Sequence, residues 1–142
     1  MPNALSIIRD EHRSIAAVIH GMQHLVRQIR DRNAKVDFRV FRAMLYYLDT
    51  FSERMHHPKE DRYLFKAIRD RSAEGQALIA ELEEEHTHGQ HSLRKLAQAL
   101  IRYEEGGAPE FPAFEREVEN FSRNYRDHMR REENFLFPLP RN

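Results

Sequence analysis

The stretch MHHPKEDRYLF, Met55 to Phe65, occurs twice in this chain in related form. The second copy lies within YRDHMRREENFLFP, Tyr125 to Pro138. It aligns His56 with His128, Glu60 with Glu132, Asp61 with Glu133, Leu64 with Leu136 and Phe65 with Phe137. Each copy sets a histidine four residues ahead of a glutamate. On an α-helix that spacing leaves the two side chains roughly 40° apart in azimuth and about 6 Å apart along the axis. A ring nitrogen and a carboxylate oxygen can then meet at one metal ion, and two such pairs can share a site if the chain brings them together.

The flanking sequence predicts long helices with short breaks, because glycine and proline cluster at a few positions. A first helix is expected from about Ala4 to Arg30, capped by Asn3, with the stripe Leu5, Ile8, His12, Ile15, Ile19, Met22, Val26, Ile29. DRNAK breaks the pattern, and Asp37 can cap a second helix from Phe38 to Asp70. Its stripe is Phe38, Phe41, Leu45, Leu48, Ser52, His56, Glu60, Tyr63, Ala67, with a kink expected at Pro58. Ser72 can cap a third helix that ends at Gly106-Gly107, with stripe Ile79, Leu82, His86, Gly89, Leu93, Leu96, Leu100. A fourth runs from the Pro109–Pro112 region to about Phe137, with Phe114, Val118, Phe121, Tyr125, His128, Glu132, Phe135, and Pro138 and Pro140 stop it. No strand signal competes. The predicted fold is all-α, a single domain over residues 1–142 forming an up-down-up-down antiparallel four-helix bundle.

Counting along these helices places four histidines at one depth. His12 lies 18 residues before Arg30 and His56 lies 18 after Phe38; His56 is 14 before Asp70 and His86 is 14 after Ser72. His86 is 19 before Glu105 and His128 is 17 after Phe111. The halves also repeat: His12 to His86 is 74 residues, His56 to His128 is 72, and IIRDEH matches ELEEEH. Two helical hairpins of one design, related by an approximate two-fold, are expected.

Composition removes several classes of function. Lysine plus arginine and aspartate plus glutamate number 23 each, so no global field draws nucleic acid or an anionic membrane. No apolar run approaches the ~20 residues of a membrane span, and Arg9, Asp10 and Glu11 rule out a signal-peptide core. With no cysteine, disulfides, thiolate catalysis, Fe–S ligation and thiolate zinc sites are excluded. A cytoplasmic location is the default expectation.

Four imidazoles and two carboxylates facing inward at one level are costly as bare polar groups, and a metal centre removes that cost. A single core histidine is ordinarily a hydrogen-bonded structural residue; four at one depth with two matched glutamates form a metal-site pattern. The candidate ligands are His12, His56, Glu60, His86, His128 and Glu132. Histidine and carboxylate ligation without sulfur suits iron, manganese or zinc. If both glutamates bridge two six-coordinate ions and one oxygen atom also bridges, about two of the twelve positions stay open for a small ligand. His57–Asp61 has the same spacing as His56–Glu60, but Met129 stands where His57 does in the second copy, so His57 is set aside. His20, His24, His88 and His91 fall off the ligand layer or face.

These residues resemble the hemerythrin-like (HHE cation-binding) family: DEHR around His12, HHPKED then LF around His56 and Glu60, EEEH around His86, and HMRREENFLFP around His128 and Glu132. The resemblance covers essentially the whole chain, with the four motifs in family order. It implies a four-helix bundle holding two iron ions bridged by carboxylates and an oxo or hydroxo group. His12, His56, His86 and His128 would be terminal ligands, and Glu60 and Glu132 would bridge. Oxygen-carrying hemerythrins have a fifth histidine one turn after the third-helix one, where this chain has Gln90. Their last motif ends in aspartate at a longer spacing, where this chain has Glu132. The pattern looks more like relatives linked to iron sensing, nitric oxide or repair of iron–sulfur centres. The repair proteins carry an N-terminal cysteine-bearing segment that this sequence lacks. Many relatives continue past the fourth helix, so this sequence is compatible with a piece of a longer protein.

The expected function is therefore a non-haem di-iron protein that binds or reacts with O2, NO or peroxide, in sensing, iron handling or stress response. The alternative is an iron-responsive interaction module whose metal-stabilised fold is read by a partner protein. Tyr46, Tyr47 and Tyr103 are candidates either for a homodimer interface or for the core.

Overall fold

The structure is a computed structural model that describes residues 4–69 and 73–136. The expected caps Asn3 and Ser72, the helix end at Asp70 and the stop at Phe137 to Pro140 lie outside the described residues. So do the side chains of Leu5, Glu53, Asp61, Tyr63, Leu64, Ala67, Phe135 and Leu136.

Four helical rods form an antiparallel up-down-up-down bundle, and no strand occurs among the described residues. The first, α1, is Ala4–Arg32. It ends where Asn33 takes a positive φ of 49°, and the Ala34 amide donates to the Gln28 carbonyl at 3.2 Å. The second, α2, spans 38–69. As expected, Asp37 caps it, its side chain accepting from the Arg39 amide at 3.1 Å. The third, α3, is Ala73–Gly106. Gly107 follows at φ 75°, a conformation that costs glycine nothing, and its amide donates to the Tyr103 carbonyl at 2.9 Å. The fourth, α4, is Phe111–Arg131, entered through a 3-10 turn at Ala108–Glu110.

The disturbance expected near Pro58 takes a specific form. Within α2 the chain is π-helical over Leu48–His56, α-helical for His57–Lys59, and π-helical again over Glu60–Phe65. α4 likewise passes into a π-helical stretch at Glu132–Leu136. Both paired glutamates thus open a π-helical turn, so the repeat seen in sequence is repeated in backbone register. Such wide turns are rare and gather at functional sites.

The stripes pack as their spacing predicts. Ile15, Ile19, Met22 and Val26 of α1 meet Phe41, Leu45 and Leu48 of α2, Leu93, Leu96, Leu100 and Tyr103 of α3, and Phe114, Val118 and Phe121 of α4. All lie on one side of the histidine layer; Ile8, Phe65, Ile79 and Leu82 are buried on the other. Tyr103 belongs to the core, whereas Tyr46 is 70 % exposed. Phe41 and Phe114 meet edge to face at 5.0 Å, and Phe114 also stacks on Tyr103 at 5.4 Å. Phe114→Ala should cost about 3–5 kcal/mol in urea unfolding, because the rings around it cannot close the cavity. Its metal stoichiometry should stay unchanged, since the core lies below the site.

Candidate metal centre

The structure brings all six candidate residues together. His12 comes from α1, His56 and Glu60 from α2, His86 from α3 and His128 and Glu132 from α4, and all six are buried. Glu60 and Glu132 are fully enclosed, at 0 % exposure. Their carboxylates lie between the four rings. Glu60 faces the Nε2 atoms of His12, His56 and His86, each at 3.3 Å. Glu132 faces those of His12, His128 and His86 at 3.1, 3.4 and 3.7 Å.

These separations test whether a metal fits. Two ligand atoms about 2.1 Å from one ion and at right angles stand about 3 Å apart. The observed spread of 3.1–3.7 Å is that of a ligand cage rather than of a hydrogen-bonded core. Neither Nε2 of His56 and His128 nor any carboxylate oxygen of the two glutamates makes a hydrogen bond. Buried polar atoms left this way would each cost about 1–3 kcal/mol. Two groups of ligand atoms lie within 4.8 Å of one another: His12, His56, Glu60 and Glu132, and His57, Glu60, His86 and His128. The donor set fits hard-to-borderline cations.

The site is held from outside by a second duplicated set that the motif reading passed over. His56 Nδ1 donates to Glu11 at 2.8 Å, and Lys59 donates to the same carboxylate at 2.5 Å. In the other half His128 Nδ1 donates to Glu85 at 2.8 Å, and Arg131 donates to Glu85 as well. Glu11 and Glu85 each immediately precede a singleton histidine, and Lys59 and Arg131 each stand three residues after a paired one. This is why the residues before His12 and His86 match. A carboxylate on Nδ1 fixes the tautomer that leaves Nε2 as the inward donor atom. His12 is held in the same way, Nδ1 lying 3.2 Å from Glu133. The His128 contact, with Arg131 nearby, holds the Glu85 carboxyl below its ordinary range. Glu11 is lowered too, since Lys59 and His56 outweigh the opposing effect of burial. Glu11→Gln and Glu85→Gln should each weaken metal binding about 10–100-fold while leaving the fold intact, as measured by competition with a chelator.

His57, which the Met129 of the second copy argues against as a ligand, is only 5 % exposed and sits against the site. Its ring stacks on His86 at 3.9 Å and 5°, and the Tyr125 hydroxyl hydrogen-bonds its Nε2 at 2.8 Å. Tyr125 is in turn bonded to the buried Ser52 hydroxyl. Burial, followed by the neighbouring His86, His56 and His128, pushes His57 well below the ordinary imidazole range, so it is neutral. Regular α-helical geometry separates consecutive residues by ~100° and hides this placement; the π register beside Pro58 turns both histidines inward. His20, His24, His88 and His91 are exposed as expected, and His88 pairs with Glu84 at 3.8 Å. Gln90 is exposed, away from the ligand layer, and Gly89 is half-buried.

A buried cage of histidine and carboxylate atoms within a four-helix bundle defines a cation-binding protein. Residues 3–139 match the family model of the hemerythrin HHE cation binding domain, and the chain belongs to that family. Comparison with curated proteins and with solved structures found no match. No helix among the described residues is long and apolar enough to cross a membrane.

Proposed function

We propose that this chain is a non-haem di-iron protein that binds or reacts with a small ligand such as O2, NO or peroxide. His12, His56, His86 and His128 would hold the ions as terminal ligands, and Glu60 and Glu132 would be shared between them. The observation that carries this reading is the placement of each glutamate opposite three histidines drawn from three helices. A carboxylate so placed can reach two cations, which a single-ion site does not need. Bound iron would supply redox and Lewis-acid chemistry. The chain itself supplies orientation, through Glu11, Glu85 and Glu133, and exclusion of water, through the apolar residues above and below the layer.

Metal analysis after aerobic and anaerobic purification tests this. Two iron ions per chain are expected; a folded protein holding no stoichiometric transition metal would overturn the reading, and a full complement of zinc or manganese would replace iron within it. A second reading, the iron-responsive interaction module, is favoured by one observation: the six side chains come from all four helices, so occupancy is coupled to the fold itself. Large stabilisation by iron without turnover of peroxide or NO would favour this reading. Turnover with little stabilisation would favour a reactive centre.

A further inference from the structure

The two most exposed large apolar side chains among the described residues stand on one seam, between α2 and α3. Tyr46 of α2 is 70 % exposed and Ile101 of α3 is 55 % exposed. Both line a groove of about 670 Å3, which has room for several side chains. Its floor is apolar: Leu45, Leu93 and Leu100 lie there, all buried and all continuous with the core beneath. A surface of this kind gains by being covered.

The rim decides what covers it. Arg42 donates to Glu104 at 2.7 Å and Arg54 pairs with Asp49 at 3.4 Å, so two of the three arginines along the groove are already matched. The third, Arg94, is exposed and pairs with no carboxylate among the described residues. One spare cation is a weak attraction for a strongly acidic partner. A face carrying three arginines and two carboxylates instead suits another of its own kind, since each offers both signs to the other. The whole chain carries 23 charges of each sign, so two copies approach without net repulsion. The face also holds both parts of an apolar fit, with Tyr46 on the ridge and the leucine floor beside it. A two-fold contact uses each part twice.

We propose that the α2–α3 groove seats a second copy of this chain in an isologous dimer. Tyr46 of each copy enters the groove of the other, over Leu45, Leu93 and Leu100, with Arg94 against its ring face. The contact is independent of which cation the cage holds.

Sedimentation equilibrium of the chain as purified, from about 1 to about 200 µM, reads the association directly. A dimer is expected at the upper concentrations. Tyr46→Glu sets a charge in the apolar seat and should weaken association about hundredfold. Ile101→Glu, on the opposite ridge, should do the same and replaces the first variant if that one folds poorly. Val40→Glu is the control: Val40 is exposed on the α1–α2 side, outside the groove, and its loss should leave the dimer intact. Unchanged circular dichroism and metal content separate loss of the contact from loss of the fold. A chain that stays monomeric throughout overturns the proposal, as does a dimer that survives both groove variants. Equal weakening by Val40→Glu also overturns it, since the effect would not be local to the groove. A monomer that binds a synthetic acidic amphipathic helix, and loses it in Tyr46→Glu, would assign the face to a foreign helix and overturn it likewise.

Discussion

Glu60→Ala is expected to reduce bound metal to background and to destabilise the metal-free protein as well. Glu60 is fully enclosed and faces His12, His56 and His86, so under the proposed assignment its removal takes a shared ligand from both halves of the cage at once. It also removes negative charge from beside His12, leaving part of a buried ionic cluster uncompensated. Breaking one partner of such a cluster costs about 3–5 kcal/mol. Glu84→Ala is the control: Glu84 is exposed and pairs with exposed His88, so metal content and unfolding midpoint should stay near native values. Metal analysis and urea unfolding of the metal-free forms check both effects. Retention of two ions by Glu60→Ala would show that the carboxylate is not a shared ligand.

The second large effect is the stability difference between metal-loaded and metal-free protein, and its dependence on pH. In the metal-free protein burial pulls the His12 imidazole down, but the Glu132 and Glu60 carboxylates outweigh it and hold the pKa up at about 10. The folded value therefore lies above the ordinary 6.5. A group shifted this way contributes stability that is fully present below pH 6.5 and is lost as pH rises toward 10. His128 is raised as well, Glu132 and Glu85 outweighing its burial. Glu132 is held well below its ordinary range by His12, His128 and His86, against its burial, so it remains ionised through neutrality. Metal requires the imidazoles unprotonated, so it must displace the His12 proton. Metal affinity should accordingly rise with pH by about tenfold per unit across that window, for each proton released. At a thousandfold excess over its dissociation constant the metal should add about 4 kcal/mol. For a chain of this size that corresponds to a rise in Tm of roughly 8–16 °C. Differential scanning calorimetry with and without metal, at several pH values, measures the effect. A gap that narrows with rising pH would contradict the assigned charge states.

Much of this was legible in the sequence because it is written in helical period. Stripe residues such as Ile15, Phe41, Leu96 and Phe114 fall in the core, and Asp37 and Gly107 stand at the helix boundaries where their chemistry belongs. Counting depth brought His12 and His86 to the layer of the repeated pairs. Two things escaped. His57 escaped because a regular α-helix turns it away from His56, and the sequence does not announce a π register. Comparing the copies made matters worse: it rewards what the halves share, and His57 belongs to what they do not. The Glu11 and Glu85 contacts escaped for the opposite reason. Both residues were visibly matched, but the match reads as homology of segments until the Nδ1 atoms of His56 and His128 are placed beside them.

The division of contacts between the hairpins has a consequence for how metal enters and leaves. Glu11 to His56 and Glu85 to His128 are ties inside a hairpin, whereas Glu60 to His86 and Glu132 to His12 cross from one hairpin to the other. Glu133 to His12 crosses as well, so the imidazoles of the first hairpin are oriented partly by the second, and bound cations would lie on the seam between the two. The seam is packed by apolar residues on both sides of the histidine layer, so bound metal would act as a clasp within a fused pair of hairpins. Loss of metal would then leave apolar packing on both sides of the layer to hold the hairpins together.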